Sequence, residues 1–173
     1  SGSLGLNTPV YATGNYPTPQ PVRGPDGTGR LGDERTGKII KVFANGNSAA
    51  ALTERGELYV WGDSSNYRLG ARDDAEYYLY PQKVPGLNHV QEVYLSNNNM
   101  IILTEGTEIW VSGSRGAHLN GWGEKETEAE TAELYTGNSV YPLPMLNNEQ
   151  DDYQASAVTV GLGNSQAIFL AME

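Results

Sequence analysis

Two stretches decide the fold, KIIKVFANGNSAAALTERGELYVWG (Lys38 to Gly62) and HVQEVYLSNNNMIILTEGTEIWVSG (His89 to Gly113), which align without a gap at an offset of 51. Val42 meets Val93, Leu52-Thr53-Glu54 meets Leu103-Thr104-Glu105, Val60 meets Val111 and Gly62 meets Gly113. A third copy, ASAVTVGLGNSQAIFLA (Ala155 to Ala171), lies at an offset of 118 from the first, with Val160 in the place of Val42 and Leu170 in that of Leu52. Self-similarity at a fixed period is the mark of a repeat architecture.

Each copy reads as short strands. Leu58, Tyr59, Val60 and Trp61 are apolar on both faces, where a half-exposed strand would alternate, so both faces of that strand must be covered. Stacked four-stranded sheets arranged as propeller blades meet this demand and limit exposed edges. Arg55-Gly56 and Glu105-Gly106 stand where a hairpin needs a residue at positive φ, and Asn45, Asn97, Asn98 and Gly163 stand at the preceding turns. Pro-led segments precede the copies: PQPV (Pro19 to Val22), PQKV (Pro81 to Val84) and PLPM (Pro142 to Met145). They are expected to be the first strand of their own unit, with Pro tolerated at a strand start or edge. The fold class is therefore all-β, with blades of four antiparallel strands.

Composition agrees. Of 173 residues only 38% are hydrophobic and 18% charged, while 21 Gly and 11 Tyr suit strands joined by tight turns. No apolar run has the length to cross a bilayer and no leader pattern opens the chain. The absence of Cys excludes disulfides and thiolate chemistry and fits a cytoplasmic or nuclear location. Residues 1–83 carry nine basic and nine acidic groups, whereas residues 84–173 carry two (Arg115, Lys125) and twelve, so the whole net charge of −10 lies in the second half. Direct nucleic-acid binding is disfavoured, and a basic protein surface suits the chain better.

These residues resemble the regulator of chromosome condensation repeat family, whose units carry V-x-V-x-A-G, H-x-x-A-L-T, G-x-V-Y-x-W-G and N-x-x-G-Q-L-G. The first unit matches at Val42, Ala44, Ala51-Leu52-Thr53, Gly56, Tyr59, Trp61-Gly62 and Leu69-Gly70. The second keeps Val93, Leu103-Thr104, Trp110 at the aromatic position and Gly113, with Ser112 for the tryptophan. Gly2 to Leu6 (GSLGL) is similar to the tail of a preceding unit. Ser48, Asn99 and Gln166 replace the pattern's histidine, and Asn45 and Ser96 its glycine; all are read as structural hydrogen-bonders at blade corners. The resemblance implies a seven-bladed ring, of which this chain would supply about three blades.

The expected layout is one partial propeller over 1–173: a tail of a preceding repeat (1–6), repeats at 17–70 and 79–121, an incomplete repeat at 141–173, and insertions at 23–37 and 121–140. Further repeats or another chain would complete the ring. Trp61, Gly62, Trp110, Gly113, Leu52, Leu103 and Leu170 are the expected structural residues.

Gly27 to Gly32 (GTGRLG) formally satisfies G-x-G-x-x-G, but it follows Pro25-Asp26 and precedes a charged turn, without the buried strand and following helix that a dinucleotide site needs. The segment 23–37 reads instead as a long loop, either solvated or binding a partner through Arg30, Asp33, Glu34 and Arg35. The second insertion contains EKETEAETAEL, with five Glu and only Lys125 to offset them, and is either a solvated excursion or a dock for a basic surface. Trp122, flanked by Gly121 and Gly123, is its candidate anchor. His89, His118, Asp73-Asp74 and Asp151-Asp152 show no nucleophile elbow, ligand spacing or calcium-loop register. No catalytic residue, metal or cofactor is assigned.

The sequence thus points to a protein-interaction scaffold with a protein partner and no membrane role. The resemblance implies an alternative, guanine-nucleotide exchange on a Ran-like small GTPase, and leaves open an accessory segment of a larger enzyme such as a ubiquitin ligase.

Overall fold

In a computed structural model, residues 2–8, 15–71, 75–105, 109–113, 141–142, 157–163 and 167–172 are described. They form ten strands: β1 (Ile39–Asn45), β2 (Ser48–Thr53), β3 (Leu58–Asp63), β4 (Tyr77–Lys83), β5 (Val90–Leu95), β6 (Asn99–Thr104), β7 (Ile109–Gly113), β8 (Tyr141–Pro142), β9 (Ala157–Leu162) and β10 (Ala167–Met172). The first sheet has the order β1-β2-β3-β4, the second β5-β6-β7-β8, and the third pairs β9 with β10; all pairings are antiparallel.

One expectation is corrected. Pro81 lies in β4, hydrogen-bonded to β3, and Pro142 in β8 pairs with Trp110 of β7, so both prolines belong to the outermost strand of the preceding sheet. The chemistry explains the placement: proline has no N–H, and an outer edge is where a missing donor costs least. Pro19 to Val22 forms no strand; Val22 and Arg23 bridge the loop 23–37 to the N-terminal segment through Leu31 N to Val22 O (3.0 Å) and Arg23 N to Gly5 O (2.9 Å).

Burial follows the two-faced apolar reading. In β3, Leu58, Tyr59, Val60 and Trp61 are all at most 6% exposed, and Ala50 to Leu52 and Met100 to Ile102 are sealed in their central strands. One core joins the first two sheets, with Leu52, Leu58 and Val60 meeting Val93, Leu95, Met100 and Ile102. A second core joins the second and third sheets through Ile101, Leu103, Ile109, Val111 and Val160. The apolar residues that alternate along β6 therefore feed two different cores, which is why the strand reads as a continuous apolar run.

The β2–β3 hairpin is built as its residues dictate. Gly56 takes φ of 75°, and buried Thr53 accepts from the amides of Arg55 and Glu57, both at 3.3 Å. Gly56 O then accepts from Val90 N at 3.2 Å, tying this turn to the start of the second sheet.

Candidate functional site

The seam between units is organised at the corner after β3. Gly62 and Gly113 hold φ of 96° and 110°, and a side chain at either would run into the carbonyl of Asn47 or Asn98, so only glycine lets the strand turn out of the sheet. Asp63 follows; its Oδ1 accepts from Ser65 N (3.0 Å) and Ser65 Oγ (2.6 Å) and pairs with Arg68 Nη2 at 3.1 Å. Burial pushes the Asp63 carboxyl upward, but the Ser65 hydrogen bonds together with the Arg68 charge outweigh it and hold the group below its ordinary value.

With its side chain held in this way, buried Arg68 presents its carbonyl to the next sheet, where Ser112 Oγ donates to it at 2.8 Å. In the preceding position Trp61 Nε1 donates to Ser3 O at 3.1 Å, and Gly5 lies against the indole. Ser3 O thus accepts from Trp61 as Arg68 O accepts from Ser112 one unit later, with Gly5 and Gly70, two residues on, both at positive φ. Ser48 and Asn99, at the pattern's histidine position, are buried and donate to Asp63 O (2.7 Å) and Ser112 O (3.4 Å); Ser96 Oγ accepts from the Asn98 and Asn99 amides.

The loop 23–37 is closed on itself. The Arg35 guanidinium reaches Asp26 Oδ2 (2.9 Å), Asp33 Oδ2 (3.0 Å) and Thr28 O (2.9 Å), while Arg55 grips the carbonyls of Arg35 (3.0 Å) and Glu34 (2.9 Å) from the first sheet's hairpin. Buried Thr36 accepts from Gly32 N at 2.8 Å. Asp26 is lowered chiefly by the Thr28 hydrogen bonds, and Asp33 chiefly by Arg35, whose own pKa is raised by Asp33.

The structure therefore brings Arg30, Asp33, Glu34 and Arg35 onto one loop but divides their work. Asp33 and Arg35 shape the loop, while Arg30 and Glu34 carry exposed side chains. Asp26, Thr28 and Arg55 share the shaping and were not singled out from sequence, although Asp26-Gly27-Thr28 and Asp33-Glu34-Arg35 carry the spacing of turns in which a side-chain oxygen takes the amide two residues on. Trp122, the insertion 121–140, His118 and Asp151-Asp152 lie outside the described residues.

Beside this loop an apolar groove of about 460 Å³ opens on the first sheet, floored by Val42, Ala44, Ala49 and Ala51 and rimmed by Val22 and Arg30. Among the described residues no cluster of three or more His, Asp or Glu is placed to hold a metal ion, and no helix is long and apolar enough to cross a membrane.

Comparison with known proteins adds the lineage. Models of the regulator of chromosome condensation (RCC1) repeat match residues 39–68 and 55–103, the span of the first sheet and the first two strands of the second. Residues 39–103 are therefore similar to RCC1 repeats. Among curated relatives, the E3 ubiquitin-protein ligase HERC2 of Mus musculus is 33% identical over 86 residues, covering 47% of this chain and 2% of that protein. The mitochondrial RCC1 domain-containing protein RUG3 of Arabidopsis thaliana is 34% identical over 71 residues, covering 41% of this chain and 12% of RUG3. The chain thus spans a small part of either relative. Among solved structures, human WBSCR16 superposes with a TM-score of 0.52 at 19% identity, over 76% of this chain and 32% of that one. Prp20p of Saccharomyces cerevisiae, described with its binding properties to Gsp1p and histones, gives 0.52 at 20% identity over 78% and 28%. Yeast RCC1 (Prp20) in the structure of Kap60 bound to it gives 0.55 at 16% identity, over 77% and 30%. The shared fold is the RCC1 β-propeller, of which this chain is a partial copy.

Proposed function

We propose that this chain is a protein-binding propeller segment that presents the loop 23–37 to a protein partner and performs no covalent chemistry. One observation carries the reading: Arg35 and Arg55 hold the loop in shape from both sides, so Arg30 and Glu34 are displayed on a surface already ordered before any partner arrives. A preformed loop on a rigid scaffold avoids the ordering cost that weakens most loop-mediated contacts. The yeast neighbour's described partners, Gsp1p, histones and Kap60, are all proteins, which supports a partner of that class. The acidic second half of the chain favours a partner with a basic surface. Further sheets, from additional repeats or another chain, complete the ring.

Nucleotide exchange on a Ran-like GTPase is the second reading, favoured by the neighbour's described binding to Gsp1p. The propeller would then bind the nucleotide-free GTPase more tightly than the loaded one, which is differential affinity and breaks no bond. One experiment separates the readings: binding of the chain to a Ran-like GTPase and to core histones, with release of a fluorescent guanine nucleotide followed in parallel. Binding that R30E/E34K weakens, with release unchanged, is the expected result. Accelerated release that the double variant abolishes selects exchange, and binding indifferent to R30E/E34K removes the loop from the interface.

A further inference from the structure

The segment that joins β3 to β4 holds a tyrosine in a backbone conformation that its side chain disfavours. Tyr67 takes φ of 58°, as does Asn66 before it. Asparagine tolerates this left-handed region, whereas for a bulky side chain it is a genuine outlier. The chain also contains the unstrained version of the same corner. Gly2 precedes Ser3 as Tyr67 precedes Arg68, with φ of 65°, and its carbonyl accepts from Gly5 N at 2.9 Å as that of Tyr67 accepts from Gly70 N at 3.2 Å. A Cβ on Gly2 would run into the Tyr78 carbonyl, so glycine is obligatory there. One unit later a tyrosine stands in its place, and full burial does not offset the strain, because Tyr67 is 41% exposed.

The corner itself holds the strain. Arg68 is fixed by Asp63 Oδ1 at 3.1 Å and by its own Nε on Ser65 O at 3.0 Å, while its carbonyl accepts from Ser112 across the seam between the first two sheets. Tyr67 is therefore carried on backbone that is shaped before any partner arrives. A strained residue persists only where its surroundings over-determine it, and an exposed one so held points to function. Charge narrows what the ring would meet. In sequence, residues 63–76 carry four acidic groups (Asp63, Asp73, Asp74 and Glu76) against Arg68 and Arg72, and Arg68 is spent on Asp63. Glu76 is exposed and lies beside the corner, its carbonyl accepting from Ser64 N at 2.8 Å.

We propose that Tyr67 anchors a basic segment of a protein partner, which lays an arginine or lysine side chain over the Tyr67 ring on the side of Glu76. The face of a tyrosine ring attracts a cation, and a neighbouring carboxylate adds to the attraction. Tyrosine is also among the residues that carry a disproportionate share of binding energy at interfaces. The inference rests on the reading of the chain as protein-binding, but it uses a surface separate from the loop 23–37.

Fluorescence anisotropy of a labelled dodecapeptide of alternating arginine and glycine, titrated with the full chain at physiological salt, tests this. The wild-type chain should bind the peptide. Tyr67→Gly leaves the charge unchanged and should bind about tenfold more weakly, whereas Tyr67→Phe, which keeps the ring, should stay within about twofold of wild type. The urea midpoint of Tyr67→Gly should equal or exceed that of wild type, because the strain is relieved. Should Tyr67→Gly lose its β-sheet spectrum, Tyr67→Asn, which tolerates the same φ, replaces it. A wild-type chain that ignores the peptide, or equal binding by wild type and Tyr67→Gly, which would trace the affinity to net charge alone, overturns the proposal. So does a lowered urea midpoint in Tyr67→Gly, which would make Tyr67 a packing residue. None of these results bears on whether R30E/E34K weakens partner binding, so the two proposals fail separately.

Discussion

Ser112 donates its hydroxyl to the carbonyl of Arg68 at 2.8 Å, across the seam between the second sheet and the corner that ends the first. The same place one unit earlier is filled by Trp61 on Ser3. A hydroxyl and an indole N–H thus serve one structural purpose, and the difference lies in what surrounds them. Trp61 also covers apolar surface beside Val22 and Gly5, whereas buried Ser112 contributes the hydrogen bond from a much smaller side chain. Ser112→Ala should cost about 1 kcal/mol. Trp61→Ala should cost roughly 3–5 kcal/mol, because a buried aromatic leaves a cavity as well as an unpaired carbonyl. Urea unfolding of the two variants under identical conditions checks the ratio.

Gly62 and Gly113 are the positions where backbone conformation is decisive. At each, alanine meets both a positive φ and a carbonyl oxygen in its path, so Gly62→Ala and Gly113→Ala should each lose about 1–3 kcal/mol. Gly161→Ala is the control: its Cβ has open space, and the change should leave the urea midpoint within error of wild type or slightly above it.

The Asp63–Arg68 corner should make the chain sensitive to acid. The Asp63 carboxyl is held below its unfolded value, so its contribution is present above the unfolded pKa and is lost as pH falls through the folded one. Wild-type stability should therefore fall on acidification below about pH 4 more steeply than that of Asp63→Asn, which should already be weaker by about 1.5–3 kcal/mol at neutral pH. Thermal unfolding from pH 7 down to pH 3 measures both. Parallel pH profiles for the two proteins would remove Asp63 from this role.

Arg35 tests the closed loop. Its ion pairs are exposed, so Arg35→Ala should leave global stability close to that of wild type. The loop 23–37 should nevertheless open locally and be cut faster by limited proteolysis, with Arg30→Glu cleaved at the wild-type rate. Equal cleavage of wild type and Arg35→Ala would mean that Arg55 and Thr36 alone keep the loop closed.

Much of this architecture was legible in the sequence for a specific reason. The offset of 51 aligns residues that do the same work, so β2 and β6, β3 and β7, and the glycines that follow them could be read once and applied twice. The phase of the sheets was not legible. A repeat is cyclic, and nothing in Pro81 to Val84 says whether it pairs forwards or backwards; only the hydrogen bonds from β3 to β4 decide. The closed loop was half legible: its length and charges were plain, while the convergence of Asp26, Asp33 and Thr28 on Arg35 depends on turns whose side-chain contacts appear only in three dimensions. Val42 was the least legible, because the repeat makes it identical to Val93 and only the stacking order exposes it.

That stacking order is the central claim, and a chain without cysteine offers a clean way to measure it. Single variants Val42→Cys, Val93→Cys and Val160→Cys, labelled with a thiol reagent at high dilution in native buffer and again in urea, report the exposure of three equivalent positions. The account predicts that Val42→Cys labels in native buffer at close to its unfolded rate, while Val93→Cys and Val160→Cys are protected by orders of magnitude. Equal protection of all three, or rapid labelling of Val93→Cys, would contradict it.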